Sequence, residues 1–401
     1  MKILIIHNTY QLKGGEDVVF RAESELLAQE GHEVETVIFD NKEIRSLKDR
    51  LIIGIKSIYN WQSATLIEDK INYFKPDILH IHNFFPLLSP SVFFVASKLN
   101  IPVVMTLHNF RLLCPSAILY FDHRIYEKSV HKIFPMHAIL NGVYRNSILE
   151  TAAVSLVTGV HKLIGTWRNK VDRYIVLSEF AKKKFLNSSL QVTADQLSVK
   201  ANFVEDLGLD FVEREMYFLF VGRLSHEKGI PTLFEAAKLG GFKLKVIGDG
   251  PMRELVEEYA SKYPNIEYLG FQDKAFIIDQ MRRCRALVFP SACFEGCPMT
   301  ILEAYSVGSI VLAANIGAIG EIVQHQTNGL LFESGNAEDL KKQVDWLSQN
   351  EKEMNIMLGN ARLSYERKYH PHVNYEILMD IYNELIEAKK STLSSVMVSE
   401  S

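Results

Sequence analysis

Apolar positions along the chain fall into short runs that alternate with stretches of helical period. "KILIIHN" (2–8), "EVETVIFD" (33–40), "PDILHIHN" (76–83) and "PVVMTLHN" (102–109) read as strands, with "GEDVVFRAESELLAQEG" (15–31) and "SPSVFFVASKLN" (89–100) as helices among them. "RYIVLS", "EFAKKKFL" and "LSVKANFV" close that series. A second series opens at "MYFLFVGRL" (216–224). Its strands are "FKLKVIGDG", "IEYLGF", "RALVFPS" and "SIVLAA", and its helices "GIPTLFEAAKLG", "MRELVEEYASKYP", "KAFIIDQMRRC" and "MTILEAYSVG". Such alternation predicts an α/β protein with parallel sheets covered on both faces. The irregular, acidic "VEDLGLDFVEREM" separates the two series. The expected organisation is a Rossmann-like domain at 1–203, a linker at 204–216 and a second Rossmann-like domain at 217–371. An amphipathic helix at 372–390 could pack back on the first domain, and the polar tail 391–401 is expected to be disordered. Two doubly wound domains facing each other leave a cleft at the carboxyl ends of their strands, where ligands of open α/β sheets bind. The informative residues should therefore lie just after strands.

Composition changes this picture little. A chain of 401 residues, 47% hydrophobic and 23% charged, is long enough for two or three domains. The four-residue apolar run in "MKILIIHNTY" is too short for a signal-peptide core and suits a buried first strand. The nearest approach to a membrane span, "TAAVSLVTGVHKLIGTW", is interrupted by His161 and Lys162. The four cysteines lack paired-knuckle spacing and read as reduced thiols of a cytoplasmic protein. Charge is uneven: residues 1–200 hold 24 Lys and Arg against 19 Asp and Glu, the remainder 20 against 29, which gives the net −4. Much of the basic excess lies in Lys162, Arg168, Lys170, Arg173, Lys182, Lys183 and Lys184, against Asp172 and Glu179. A solvated helix face accounts for this. So does attraction to an anionic membrane surface, since Trp167 and other apolar residues interleave with the charges. No recognised module accompanies the cluster, which argues against nucleic acid.

Four groups of residues could carry chemistry. In "FEGCPMTILEAYSVG", Glu295 precedes Gly296 in a loop and Glu303 sits inside the following helix. Pro298 suits the first helical position, leaving free amides on Met299, Thr300 and Ile301, a ready phosphate site. The two carboxylates can then take hydroxyls on either side of a diphosphate, as in a sugar–diphosphate–ribose ligand. Equally, Glu295 could be a turn residue and Glu303 a solvated helix position. In "VGRLSHEKGI", Arg223 and Lys228 follow a strand and could neutralise a diphosphate. In "YQLKGGEDVV", Gly14 and Gly15 open a helix whose amides could face a phosphate, although neither a dinucleotide fingerprint nor a P-loop is present. "IGDGP", with Gly248 and Gly250, could pass close to a flat base. The fourth group is histidine. His80 and His82 share one strand face and His108 ends the next strand. Zinc held by three imidazoles is disfavoured because no fixed helical spacing supports it. A hydrogen-bonding role suits His108, and structural roles suit His80 and His82.

Together these residues resemble the retaining glycosyltransferases of family 4, with GT-B architecture. The E-x7-E motif matches at Glu295 and Glu303, the Arg and Lys pair at Arg223 and Lys228, the Gly-Gly loop in "KGGEDVV" and the sugar-contacting His in "LHNFRLLCP". "VDRYIVLSEFAKKKF" is similar to the segment family members carry before the linker. One departure is the absence of the cysteine cluster that often follows "LLCP", so the acceptor-side loop is expected to differ. The resemblance implies that Glu303 binds the nucleotide ribose, Glu295 the donor sugar, and Arg223 with Lys228 the diphosphate, assisted by amides near Gly15, Met299 and Thr300. His108 would contact the sugar near the reacting carbon. It further implies hexosyl transfer with retention from a UDP- or GDP-type sugar to a saccharide or lipid-linked acceptor, with no resident cofactor and no metal. The setting would be polysaccharide or glycolipid assembly, with the protein in the cytoplasm and at the inner face of the membrane. A nucleotide-sugar 2-epimerase and a non-catalytic nucleotide-sugar-binding protein are the alternatives.

Overall fold

The computed structural model describes residues 1–9, 14–40, 57–210 and 212–399, with side chains as far as 391. Acceptor contacts are expected in the N-terminal loops at about 40–65 and 110–150, and the part of the first between 41 and 56 lies outside the described residues. The chain divides into two compact units. One comprises Met1–Leu119, Tyr126–Lys200 and Asn374–Ser401, the other Tyr120–Ile125 and Ala201–Val373.

Strands β1 (Lys2–Thr9), β2 (Glu33–Asp40), β3 (Ile78–Ile81) and β4 (Val103–Leu107) are followed by a short antiparallel hairpin, β5 (Tyr120–Phe121) and β6 (Arg124–Ile125). After it come β7 (Arg173–Val176) and β8 (Leu197–Val199). In the first unit the parallel order is β2-β1-β3-β4-β7-β8. Every residue of β3 and β4 is buried, which is why both read as near-continuous apolar runs. Ile3, Ile5, Ile78, Val104 and Ile175 of this sheet pack with Phe20 and Leu27 of helix Gly15–Gln29 and with Leu378, Ile381, Tyr382 and Leu385 of the last helix.

The second unit holds β9 (Phe218–Val221), β10 (Leu244–Ile247), β11 (Ile266–Gly270), β12 (Ala286–Phe289), β13 (Val311–Ala314) and β14 (Gly329–Phe332), in parallel order β11-β10-β9-β12-β13-β14. Successive strands step outward on one side from β9 and on the other from β12, so the order reverses between these two neighbours. In the first unit the reversal falls between β1 and β3. Crevices at such switch points are the ligand sites of open α/β sheets.

Two segments differ from expectation. The acidic stretch taken for a linker is bound down on the second unit: Asp206 pairs with Arg362 at 2.6 Å, Asp210 with Arg282 at 3.1 Å, and the Leu207 amide donates to Ser306 Oγ at 2.9 Å. Asp206 and Asp210 are thus neutralised by arginines of their own unit. The last helix runs Pro371–Ser399, through most of the tail expected to be disordered, because no Gly or Pro follows Pro371 to end it.

Candidate active site

At the switch point of the second unit, two loops bring charged residues together. The loop after β9 carries Arg223, which is exposed and has no ion-pair partner among the described residues. Lys228 closes a 3-10 turn, His226–Lys228, and Gly229 follows in the left-handed region at φ +75°. A Cβ on Gly229 would stand 1.8 Å from the Pro290 carbonyl oxygen, so only glycine lets this loop press against the end of β12. The Ala292 amide donates to the Glu227 carbonyl at 2.8 Å, tying the loops together. Consequently the Lys228 Nζ lies 2.6 Å from Glu295 Oε1, which also accepts from Ser291 Oγ at 3.0 Å. Burial alone would lower the Lys228 pKa, but the Glu295 carboxylate outweighs it and holds the ammonium above its ordinary value. Sequence reasoning treated these two residues as separate constellations; the fold makes them one ion pair, with Lys228 27% and Glu295 17% exposed.

The helix beyond this loop is Met299–Ser306, with Pro298 as its N-cap and not its first residue. The Ile301 amide donates to the Pro298 carbonyl at 3.1 Å and is not available, which leaves Met299 and Thr300 at the open end. Gly296 lies on the half-buried loop before it. Glu303 is on the helix, 3.8 Å from Lys274, and burial raises its carboxyl above the ordinary range against the pull of that lysine. Burial also pushes the Cys293 thiol up to about 12, so this sulfur beside Glu295 stays protonated and is no nucleophile.

Gly248 and Gly250 have a structural use that was not foreseen. A Cβ on Gly248 would fall 1.9 Å from the Gly222 carbonyl oxygen, and one on Gly250 would fall 2.5 Å from that of Leu224. The Leu224 amide also donates to the Asp249 carbonyl at 3.0 Å. Both glycines therefore seat the Arg223 loop on its neighbour, which explains their presence without a base stacked upon them.

In the first unit, Gly14 is the N-cap of helix Gly15–Gln29, and its amide donates to Asp17 Oδ2 at 2.8 Å. Asp17 Oδ1 in turn lies 2.8 Å from His7 Nε2. The Gly14 amide expected to face a phosphate is thus engaged, and Glu16 and Asp17 already compensate the helix end. Gly15 is exposed beside it. His108 follows β4 and lines a cavity of about 30 Å³ with Asn83, Asn109 and Arg111. Its Nε2 lies 3.0 Å from His82 Nδ1, while His82 Nε2 lies 3.1 Å from Glu23 Oε1. Lys200 Nζ donates to Glu23 Oε2 at 2.7 Å and to Asn374 Oδ1 at 2.9 Å. Burial works to raise the Glu23 carboxyl, but Lys200 and the two histidines overcome it and hold it well below the ordinary range.

Glu23, His80 and His82 are close enough together to suggest a metal ion. Their donors are otherwise engaged: His80 Nδ1 meets Tyr382 Oη at 2.6 Å, His80 Nε2 meets Thr106 Oγ1 at 2.8 Å, and an ammonium already neutralises Glu23. A hydrogen-bond network accounts for them. Sequence reasoning missed Glu23 and Lys200, although Val19, Phe20, Glu23, Leu26 and Leu27 form one helical stripe, all buried, that marks Glu23 as inward-facing.

The two doubly wound sheets place the protein in the GT-B class. Residues 13–206 match the family described as Glycosyltransferase Family 4, and residues 208–364 match that described as Glycosyl transferases group 1. The chain belongs to this group 1, family 4 glycosyltransferase family. It is similar to two uncharacterized glycosyltransferases of Methanocaldococcus jannaschii. One is 36% identical over 153 residues, a match spanning 38% of this chain and less than half, 43%, of that relative. The other is 24% identical over 92% of this chain and 94% of that one. Among solved structures, Anabaena Alr3699/HepE in complex with UDP superposes with a TM-score of 0.70 at 16% identity, covering 96% of this chain and 100% of that one. The same Anabaena protein has been solved with UDP-glucose.

Proposed function

We propose that the chain transfers a hexosyl group from a nucleotide diphosphate sugar of UDP or GDP type to a saccharide or lipid-linked acceptor, with retention and without a metal, in polysaccharide or glycolipid assembly. The observation that carries this reading is the convergence of Arg223, the Lys228–Glu295 pair and the helix end at Met299 on one switch point. An ammonium has three donors; Glu295 takes one from Lys228 and leaves two for phosphate oxygens. Glu295 Oε2 keeps its lone pairs for a sugar hydroxyl. Arg223, with its fork of donors, would grip the departing diphosphate, and the Met299 and Thr300 amides would add helix-end partial charge where negative charge develops. Glu303 would accept from the ribose, and His108 from the transferred sugar. The UDP and UDP-glucose bound by the Anabaena relative favour a uridine donor. The test is a panel of nucleotide sugars screened for thermal stabilisation, since a ligand bound at 100 Kd adds about 2.7 kcal/mol. One diphosphate sugar should raise the Tm and be turned over only with acceptor. Conversion of the donor alone would indicate the epimerase, and no response to any UDP or GDP sugar would overturn the reading.

We also propose peripheral association with an anionic membrane surface, on different grounds from those the sequence suggested. Trp167 is fully buried against Phe84 and Phe93 and has no part in it. Of the basic segment, Lys162 turns to Ser189 Oγ at 2.9 Å and Arg173 to Glu384 at 2.8 Å. The favourable feature is helix Ile148–Leu163, which exposes Leu149, Leu156 and Leu163 at heptad spacing. Helix Met136–Leu140, which packs against it, exposes Met136 and Leu140, and Lys128, Lys132 and Arg145 are exposed on the adjoining chain. Among the described residues no helix is long and apolar enough to cross a membrane.

A further inference from the structure

We infer that Glu23 and His82 act as positioning residues that fix the proton on His108 Nε2, so that His108 presents a bare Nδ1 and recognises its ligand as a hydrogen-bond acceptor. Hydrogen-bond direction fixes this assignment, whose use in recognition rests on the proposed role of His108 toward the sugar. Lys200 Nζ, 2.7 Å from Glu23 Oε2, is donor only, and it keeps Glu23 a carboxylate, which is acceptor only. His82 Nε2, 3.1 Å from Glu23 Oε1, must therefore carry the proton on that side. His82 is buried, and burial pushes its pKa down to about 4, so the ring holds a single proton and its Nδ1 is bare. His108 Nε2, 3.0 Å from that bare nitrogen, can satisfy it only by donating. Burial likewise holds His108 well below its ordinary pKa, so its second nitrogen, Nδ1, has no proton left. No partner for Nδ1 exists among the described residues.

An ammonium thus sets the polarity of a carboxylate–imidazole–imidazole chain, and the chain ends in a lone pair. An acceptor of that kind takes a hydroxyl of the transferred sugar and repels phosphate oxygens. It separates the parts of a nucleotide sugar by hydrogen-bond sign, a discrimination stronger than shape alone provides, because a mismatched buried polar group is left unpaired. Asn374, 2.9 Å from Lys200 Nζ, secures the far end.

The decisive experiment uses the full chain labelled with ¹⁵N-histidine and long-range ¹H–¹⁵N correlation at pH 7.5, with the His108 signals identified by their loss in His108→Gln. In wild type, His108 should be in the Nε2–H form. His82→Asn, whose amide oxygen can stand where Nδ1 was, should keep that form; His82→Leu should give a mixture of tautomers. Glu23→Gln is the sharper variant, because its amide can donate to His82 Nε2 and reverse the chain, moving the His108 proton to Nδ1. In turnover, Glu23→Gln and His82→Leu should lower kcat at least tenfold with the donor KM within threefold, and His82→Asn should restore most of the rate. A wild-type His108 that is Nδ1-protonated or doubly protonated overturns the inference, as does a tautomer indifferent to Glu23→Gln. The spectrum needs no substrate: a correct tautomer with no response to any nucleotide sugar would sink the transferase reading and leave the relay standing. If His82→Leu fails to fold, the wild-type and Glu23→Gln spectra still decide.

Discussion

The polar clusters of the two units are built on opposite plans. In the first, the side chains of Glu23, His80, His82 and Lys200 are 3% exposed or less and find their partners in one another and in neighbouring core groups. In the second, Lys228 and Glu295 remain partly open to solvent and Arg223 is exposed without an ion-pair partner among the described residues. A closed cluster spends its hydrogen-bonding capacity on holding one arrangement, whereas an open one keeps donors in reserve for a ligand. The first is therefore built for stability and for the proton placement inferred above, and the second has the open donors that the proposed charge neutralisation requires.

The largest effect expected from this contrast is on stability. Lys200→Met leaves Glu23 buried without its cation and should cost about 3–5 kcal/mol in denaturant unfolding. Lys228→Met, in the open cluster, should cost about 1 kcal/mol, because Glu295 can be reached by water. Equal costs would erase the distinction. Activity should reverse the ranking: Arg223→Ala and Lys228→Ala should each lower kcat by about 10²–10³, with little loss of stability, as removal of one transition-state donor does. Next comes pH. Burial pushes His82 from 6.5 to about 4, so below pH 6.5 the unfolded chain binds a proton the folded one refuses. Stability is then full above pH 6.5 and falls as the pH drops toward 4, with about 2 kcal/mol lost at pH 5. Unfolding curves at pH 7.5 and 5 should show this loss, and His82→Asn should reduce it. The smallest effect concerns the exposed leucines: Leu149→Gln with Leu156→Gln should weaken co-sedimentation with anionic vesicles by about tenfold, equivalent to partial loss of apolar insertion. Binding indifferent to these changes, or to anionic lipid, would count against the membrane proposal.

Much of this architecture was legible in the chain because fully buried parallel strands must be short apolar runs followed by chemistry. Both halves of the alternation, and the placement of Arg223, Lys228 and Glu295 after strands, follow from that pattern. Strand β14 is hard to read because "GLLF" is brief and its first residue is the glycine of "TNG", which reads as a turn. The contact between Lys228 and Glu295 spans 67 residues and depends on β9 and β12 being neighbours, a fact of sheet order that local spacing does not contain. Gly14, Gly248 and Gly250 resemble ligand loops in sequence, yet their amides or missing Cβ atoms serve contacts within the protein. Glycine announces close approach without saying what approaches. Trp167 was misplaced for a related reason: charges on either side suggested a surface, while the ring lies in the core.

Isothermal titration with UDP and with UMP, and in parallel with GDP and GMP, reports whether Arg223 and Lys228 hold a diphosphate. For one base, the diphosphate should bind the wild type at least tenfold more tightly than the monophosphate, and the Arg223→Ala/Lys228→Ala variant should lose that gap. Equal binding of both nucleotides by the wild type, or a gap that survives in the double variant, would contradict a diphosphate held by this arginine and lysine.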